Sequence, residues 1–306
     1  MKKLLIVGGS GYLGTNLAVS LSEKYNVTVT GRHSLTPFFK ELFSNKNISY
    51  HKIDIRNLTE IYSVIDQNDD IIYAVPNIQP HQVKPFFHSD FLQIINPSEK
   101  LFAYATKTNK RIIFLSSGGS VYGAGDSIPH SEDSKPEPID RYGKNKLRLD
   151  KSLLQLNSQF NSNNIVLRIA NPYGGTFDNH FKQGFINSVI RNVKSDNQVE
   201  IWGDGKQIRD FIFIADFVDL VTLIIAKDSP AGIFNCGTGI GHSLAEIIDI
   251  SEKILELKIN VKFIERYQEK IPVNILNIHK SMSNFNWKPE NNVQKTLRNL
   301  LRNSKQ

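Results

Sequence analysis

Lys3-Leu4-Leu5-Ile6-Val7-Gly8-Gly9-Ser10-Gly11-Tyr12-Leu13-Gly14 opens the chain, and its reading decides the fold. The basic start resembles a secretory leader, but the apolar run stops at the glycines and is too short for a leader core. It reads as a buried strand. Gly8 permits the tight turn after that strand, Gly11 lets the backbone approach a pyrophosphate, and Gly14 allows a helix to pack closely. The N-terminus of that helix then faces the phosphates with its unpaired N–H groups and positive dipole end. Ser10, Tyr12 and Leu13 belong to the same loop and are assigned with it to a dinucleotide.

Outward from this loop, short apolar runs alternate with helical patterns. Lys3–Val7, Val27–Thr30, Ile48–Ile53, Asp70–Val75, Arg111–Leu115 and Ile165–Ile169 read as strands, with amphipathic stretches near 12–24, 57–67, 88–108 and 141–156. Such alternation implies an α/β fold: a doubly wound parallel Rossmann sheet with a smaller C-terminal α/β lobe. The pattern changes after Asn171-Pro172-Tyr173-Gly174-Gly175, so the dinucleotide-binding domain is placed at 1–174 and the smaller lobe at 175–306. The chain returns to the first domain at about 209–227. With 306 residues and 40% hydrophobic content, the chain can bury a full core.

The end of the second strand selects the dinucleotide. An acid there would bind the ribose 2′-hydroxyl of NAD and repel a 2′-phosphate, yet the sequence is Thr30-Gly31-Arg32-His33-Ser34. Arg32 can pair with a 2′-phosphate, with Ser34 as a second donor, which favours NADP(H) over NAD. Asp54, followed by Ile55 after the third strand, has two readings: a hydrogen bond to the adenine amino group, or a helix N-cap. Ala74, after the fourth strand, is placed beside the cofactor. The segment through Pro76 and Asn77, with His81 and Pro85, lies where a loop borders the nicotinamide.

Tyr142 and Lys146, in Tyr-Gly-Lys-Asn-Lys, lie four residues apart, on one face of a helix. An unperturbed phenol near a pKa of about 10 is a poor base at neutral pH. A fixed ammonium beside it lowers that value, and the same ammonium can hold a ribose. The pair with the glycine loop points to hydride chemistry.

Further segments complete a pattern: Phe114-Leu115-Ser116-Ser117-Gly118-Gly119-Ser120-Val121-Tyr122-Gly123, Leu167-Arg168-Ile169-Ala170-Asn171-Pro172-Tyr173-Gly174, and Ile201-Trp202-Gly203-Asp204-Gly205 with Arg209-Asp210-Phe211-Ile212. Phe234-Asn235-Cys236-Gly237-Thr238-Gly239 and Trp287-Lys288-Pro289 follow. With these, the chain resembles the extended short-chain dehydrogenase/reductases that modify nucleotide sugars, over almost its whole length. The branch it looks most like is UDP-glucose 4-epimerase-like.

The resemblance implies that Tyr142 is the acid/base at the sugar oxygen and that Lys146 binds the nicotinamide ribose while tuning it. Asn171 and Arg209 would meet the nucleotide diphosphate. A guanidinium suits that role because its fork donates two parallel hydrogen bonds. A salt bridge of Arg209 with Asp210, and a turn shaped by Asn171 before Pro172, are the structural alternatives. Much of the family carries a Ser or Thr at the position of Gly118, hydrogen-bonded to the substrate oxygen. Ser117 or Ser120 would have to substitute, and Ser117 is favoured because the glycines after it can turn its hydroxyl into the site.

The same segment argues against other reactions of the family. Dehydratases resembling this chain carry an acidic pair where Gly119 and Ser120 stand, and decarboxylating relatives carry a Glu there. The 3,5-epimerising reductases place a cysteine at the position of Ser120, and a hydroxyl is far less acidic. Hydride exchange at C4 of a nucleotide-linked hexose remains. An NADPH-dependent 4-keto (deoxy)sugar nucleotide reductase is preferred. A 4-epimerase with tightly bound NAD is the alternative, and a non-catalytic dinucleotide sensor is the remote one. The resemblance also implies a homodimer through helices near 88–108 and 141–160 and a polysaccharide-precursor pathway.

The net charge of +7 and pI near 9.2 suit anionic partners. The basic residues are dispersed, so a phosphorylated small molecule is favoured over nucleic acid. No apolar run has the roughly 18 residues of a membrane span. The single cysteine, Cys236, reads as a buried strand residue and fits a reducing, cytoplasmic location. The histidines, His81 and His88 among them, show no metal-ligand spacing. Trp202 and Trp287 read as packing residues, and Phe38-Phe39 and Phe86-Phe87 as exposed or covering a partner helix.

Overall fold

Residues 1–75, 90–125, 127–175, 181, 184–195, 198–227, 230–264 and 271–302 are described by a computed structural model. Expectations for Pro76, Asn77, His81, Pro85, Phe86, Phe87 and His88 lie outside the described residues.

Seven parallel strands form the main sheet in the order β10 (Gly232–Cys236), β6 (Ile165–Ile169), β5 (Arg111–Ser117), β4 (Asp70–Tyr73), β1 (Lys3–Val7), β2 (Asn26–Gly31), β3 (Ser49–Lys52). Side chains alternate across it. Leu4 and Ile6 enter one core, Leu5 and Val7 the other, and Ile113 and Phe114 of β5 divide likewise. The first face is covered by α1 (Tyr12–Leu21), α8 (Ile214–Ala226) and α10 (His279–Phe285). The opposite face is covered by α3 (Leu58–Asp66), α4 (Asn96–Lys107) and α6 (Arg141–Phe160). Burial on both faces explains why these strands read as continuous apolar runs.

Several bounds differ from expectation. The amphipathic stretch near 88–108 begins as a π-turn, Phe91–Ile95, before α4. A further helix, α2 (Pro37–Asn45), follows β2, with Thr36 as N-cap and Pro37 in its first turn. It places Phe43 in the core and leaves Phe38 41% exposed. Thr36-Pro37 was a readable start signal, obscured because one buried residue gives little apolar periodicity. α5 (Gly118–Val121) is a single turn directly after β5.

β7 (Asn171–Tyr173) leaves the main sheet and pairs with β9 (Ile208–Phe213). Pro172 cannot donate to a ladder, so an edge suits it. β9 also pairs with β11 (Gly241–Ser243) and β13 (Val273–Asn274), while β8 (Val199–Trp202) pairs with β12 (Val261–Ile264). A third core joins α7 (Phe185–Lys194), α9 (Leu244–Leu255) and α11 (Val293–Arg302) with β8 and β9. Cys236 is buried in β10, the edge strand of the main sheet. Among the described residues, no helix is long and apolar enough to cross a membrane.

Candidate active site

β1 lies between β2 and β4, so the crossovers leave it in opposite directions and open a crevice at the strand ends. Gly8 fills that crevice with φ +79°, and a Cβ there would lie 2.8 Å from the Val75 backbone. Only glycine fits both the conformation and the contact. The Gly8 and Gly9 amides donate to the Thr30 carbonyl at 2.9 and 3.1 Å, tying the loop to β2. Gly11 is the N-cap of α1 and has no side chain to occupy the helix terminus. A Cβ on Gly14 would lie 2.4 Å from the Gly9 Cα, so helix and loop touch through backbone. Tyr12 is turned away from the loop, its hydroxyl donating to the Gly174 carbonyl at 2.6 Å. This cradle fits a dinucleotide pyrophosphate.

At the adenosine end, Gly31 is packed so closely that a Cβ would meet the Ser10 and Tyr50 hydroxyls at 2.6 and 2.7 Å. Arg32 and Ser34 are exposed there, and the Arg32 Nε donates to His33 Nε2 at 3.2 Å. Asp54 does not cap a helix, because Asn57 caps α3. Its carboxylate instead accepts a two-pronged bond from Arg56, at 2.9 and 2.7 Å. The Arg56 bond holds the Asp54 carboxyl below its ordinary value against the opposing effect of burial, and the charge of Arg32 adds to the lowering. Arg56 was not among the expected site residues; its signal was the alternation Asp54-Ile55-Arg56. Ala74 donates its amide to the Val7 carbonyl at 2.8 Å, keeping β1 and β4 together at the crevice. Ile55 is half-buried against the core that holds Leu5 and Val7.

Tyr142, Lys146 and Ser117 converge at the end of β5. The Lys146 Nζ donates to the Leu115 carbonyl at 2.8 Å and lies 5.9 Å from the Tyr142 ring centre. Burial pushes the Lys146 ammonium down to about 8, opposed by the charge of Asp150. Contrary to the lowering expected from the neighbouring ammonium, burial pushes the Tyr142 phenol up to about 12, while a hydrogen bond with Ser117 acts in the other direction. Ser117 caps α5, accepting from the Ser120 amide at 3.4 Å, so it is fixed by the turn it starts. Ser120 contributes backbone to the contact with α6: a Cβ on Gly143 would lie 2.3 Å from its carbonyl oxygen. A Cβ on Gly118 would lie 2.7 Å from a methyl of Leu276, so the hydroxyl side chain that the family resemblance leads one to expect there would require this fully buried leucine to shift.

Asn171 and Arg209 sit where β7 and β9 meet. Asn171 Nδ2 donates to the Asp210 backbone carbonyl at 2.9 Å, and Arg209 Nη1 to the Ile208 carbonyl at 2.8 Å. The Asp210 carboxylate is engaged by Thr238 through its amide and hydroxyl, at 2.8 and 2.7 Å, and by the Gly239 and Leu276 amides. Trp287 packs, donating its indole N–H to the Asp216 carbonyl at 3.0 Å. Trp202 does not pack as expected: it is 48% exposed, because alternation along β8 buries Val199 and Ile201 and turns Trp202 outward. Among the described residues, no cluster of His, Cys, Asp and Glu could hold a metal ion.

The sequence profile of the NAD dependent epimerase/dehydratase family matches residues 4–237. An Escherichia coli protein named dTDP-4-dehydro-6-deoxyglucose reductase is 28% identical over 94% of this chain and 92% of its own. A UDP-glucose 4-epimerase of Bacillus subtilis is 24% identical over 95% of this chain and 93% of its own. Among solved structures, the UDP-glucose 4-epimerase of Thermotoga maritima, with UDP-glucose, superposes with a TM-score of 0.88 at 22% identity, covering 99% of this chain and 100% of that one. The dTDP-glucose 4,6-dehydratase of Bacillus anthracis, in complex with NAD, gives 0.85 at 17% identity, with 99% and 96% covered. At these identities the superpositions establish the fold.

Proposed function

The chain belongs to the NAD dependent epimerase/dehydratase family, and we propose that within it this enzyme is an NADPH-dependent reductase of a 4-keto (deoxy)sugar nucleotide. The observation that carries this reading is the end of β2. Arg32 stands exposed where an acid would select NAD, and the Asp54 carboxylate whose field it feels is paired with Arg56. The state of Tyr142 agrees: a phenol held at about 12 keeps its proton and begins as a donor.

NADPH, when bound, supplies the hydride. Gly8, Gly11 and the N-terminus of α1 would hold its phosphates, Arg32 with Ser34 its 2′-phosphate, and Lys146 its nicotinamide ribose. Tyr142 gives its proton to the 4-keto oxygen, and Ser117 hydrogen-bonds that oxygen. Lys146, protonated, stabilises the phenolate left behind. Arg209 and Asn171 meet the substrate diphosphate. This reading keeps a dinucleotide-binding unit at 1–174, to which the chain returns at about 209–227 and again with β10 and α10, a substrate lobe within 175–306, and a homodimer through α4 and α6.

A 4-epimerase with tightly held NAD is the second reading, favoured by the similarity to the Bacillus subtilis UDP-glucose 4-epimerase along nearly the whole chain. Denaturing the purified protein and identifying the released dinucleotide separates the two. A reductase arrives without stoichiometric NAD and binds NADPH more tightly than NADH. Stoichiometric NAD with no preference for NADPH establishes the epimerase instead.

A further inference from the structure

We infer that Asp150 is a positioning residue for this reaction: its buried carboxylate, one helical turn beyond Lys146 and clamped by Arg168, keeps the Lys146 ammonium charged and so sets the upper pH limit of turnover. The inference deepens the reductase reading and rests on it for its link to turnover.

Tyr142, Lys146 and Asp150 follow one another at the helical repeat of four residues on α6, and so form a column on its inner face. Asp150 is fully buried, and Arg168 of β6, itself 2% exposed, donates from Nε to its Oδ2 at 3.0 Å. Arg168 is immobilised in turn. Its guanidinium lies 4.7 Å from the Tyr122 ring centre, and the Tyr122 hydroxyl donates to Asn235 Oδ1 at 2.8 Å. The carboxylate is thus held from the far side by a chain of fixed groups running to β10. A rigid support of this kind lets a buried charge act at one place.

Other groups around Lys146 do not supply that negative charge. Tyr142 lies on the same helix, Arg168 on β6 is a cation, and Tyr122 follows α5 with its phenol pushed up by burial. β5 offers the Leu115 carbonyl and the Phe114 ring, whose centre is 4.7 Å from Nζ. Across the segment 90–107, Asp90 and Glu99 are paired with Arg141 and Arg148. Asp150 is the charge that opposes the effect of burial on Lys146; burial raises its own carboxyl too, and the charge of Arg168 acts against that rise and favours the carboxylate. Side chains four residues apart on a helix are neighbours, with Cβ atoms about 5–6 Å apart, and an opposite charge at about 4–6 Å is worth about 1–3 pKa units, enough to decide whether a buried lysine is charged at neutral pH.

The test reads Lys146 directly. In protein carrying lysine labelled with carbon-13 at Cε, the Lys146 signal, assigned with Lys146→Met, is followed against pH in wild type, Asp150→Asn and Asp150→Glu. The wild-type midpoint is expected at about 8. Asp150→Asn should lower it by at least about one unit, a tenfold change in the ratio of charged to neutral lysine. Asp150→Glu should restore it, and the basic limb of the pH–rate profile should move with the midpoint. Asp150→Asn leaves Arg168 unpaired and can unfold the chain. The double variant Asp150→Asn, Arg168→Gln removes the ion pair as a unit, a change that proteins tolerate better, and its midpoint should also fall. An unchanged midpoint in whichever of these variants folds overturns the inference. A lowered midpoint in a protein that reduces no 4-keto sugar nucleotide leaves the positioning role standing and removes the reductase reading.

Discussion

Gly143→Ala separates the geometry of the site from the stability of the fold. Gly143 follows Tyr142 in α6 and rests on α5, where a Cβ would lie 2.3 Å from the Ser120 carbonyl oxygen, 2.9 Å from its carbon and 3.0 Å from the Pro138 Cβ. Ordinary contact begins near 3.4 Å, so the helix must retreat by about 1 Å, and the obstacle is backbone that cannot rotate away. Overpacking of this kind costs about 1–3 kcal/mol. Gly143 lies in the first turn of α6, its amide donating to the N-cap Asp140, so alanine returns only part of the about 1 kcal/mol it is worth over glycine in a helix interior. The net destabilisation is then about 0–3 kcal/mol, a melting shift of a few degrees. The rate suffers more, since a displacement of about 1 Å between reacting groups costs on the order of 100-fold. Urea unfolding, with oxidation of NADPH on a 4-keto sugar nucleotide, measures both. A Gly143→Ala protein with wild-type stability and wild-type rate would refute the account of why this helix and this turn touch.

Arg32→Ala should erase any preference for NADPH over NADH in binding titrations while leaving NADH affinity within a few fold; retained preference would move the 2′-phosphate contact elsewhere, Arg56 being the first candidate. Lys146→Met should be more stable than wild type at pH 7, by up to about 3 kcal/mol, because wild type holds a buried ammonium at about 8 against an ordinary 10.5. Between those values the unfolded chain binds more protons than the native one, so wild-type stability rises with pH and the advantage of Met should fade toward pH 10.5 in urea melts. Gly118→Ser should cost about 1–3 kcal/mol against Leu276, and less in a Leu276→Ala background. A coupling near zero in that double-mutant cycle would mean that Leu276 is not what excludes a side chain at 118.

Strand bounds at Lys3–Val7 and Ile165–Ile169 agree with the expectation from sequence, because a strand buried on both faces is an uninterrupted apolar run. Helix α2 was not expected: it buries Phe43 alone, and one buried position makes no period. Trp202 departs from expectation for the opposite reason. An aromatic residue suggests packing by its type, yet the pleat of β8 turns it to solvent. Asp54 had two sequence readings, and neither included the side chain two positions later that claims its carboxylate.

By itself the sequence determined what is local or periodic. The glycine loop between strand and helix, the Tyr142 and Lys146 spacing and the apolar runs of the sheet all express backbone conformation within a few residues, where sterics and helical repeat leave little freedom. Only the tertiary structure decided which distant groups meet. That Leu276 fills the space beside Gly118, that Ser120 presses on Gly143, and that Arg168 holds Asp150 beneath Lys146 depend on the packing of segments tens to more than a hundred residues apart. Such contacts depend on how layers of sheet and helix close-pack, and close packing is a property of the assembled core rather than of any stretch of chain.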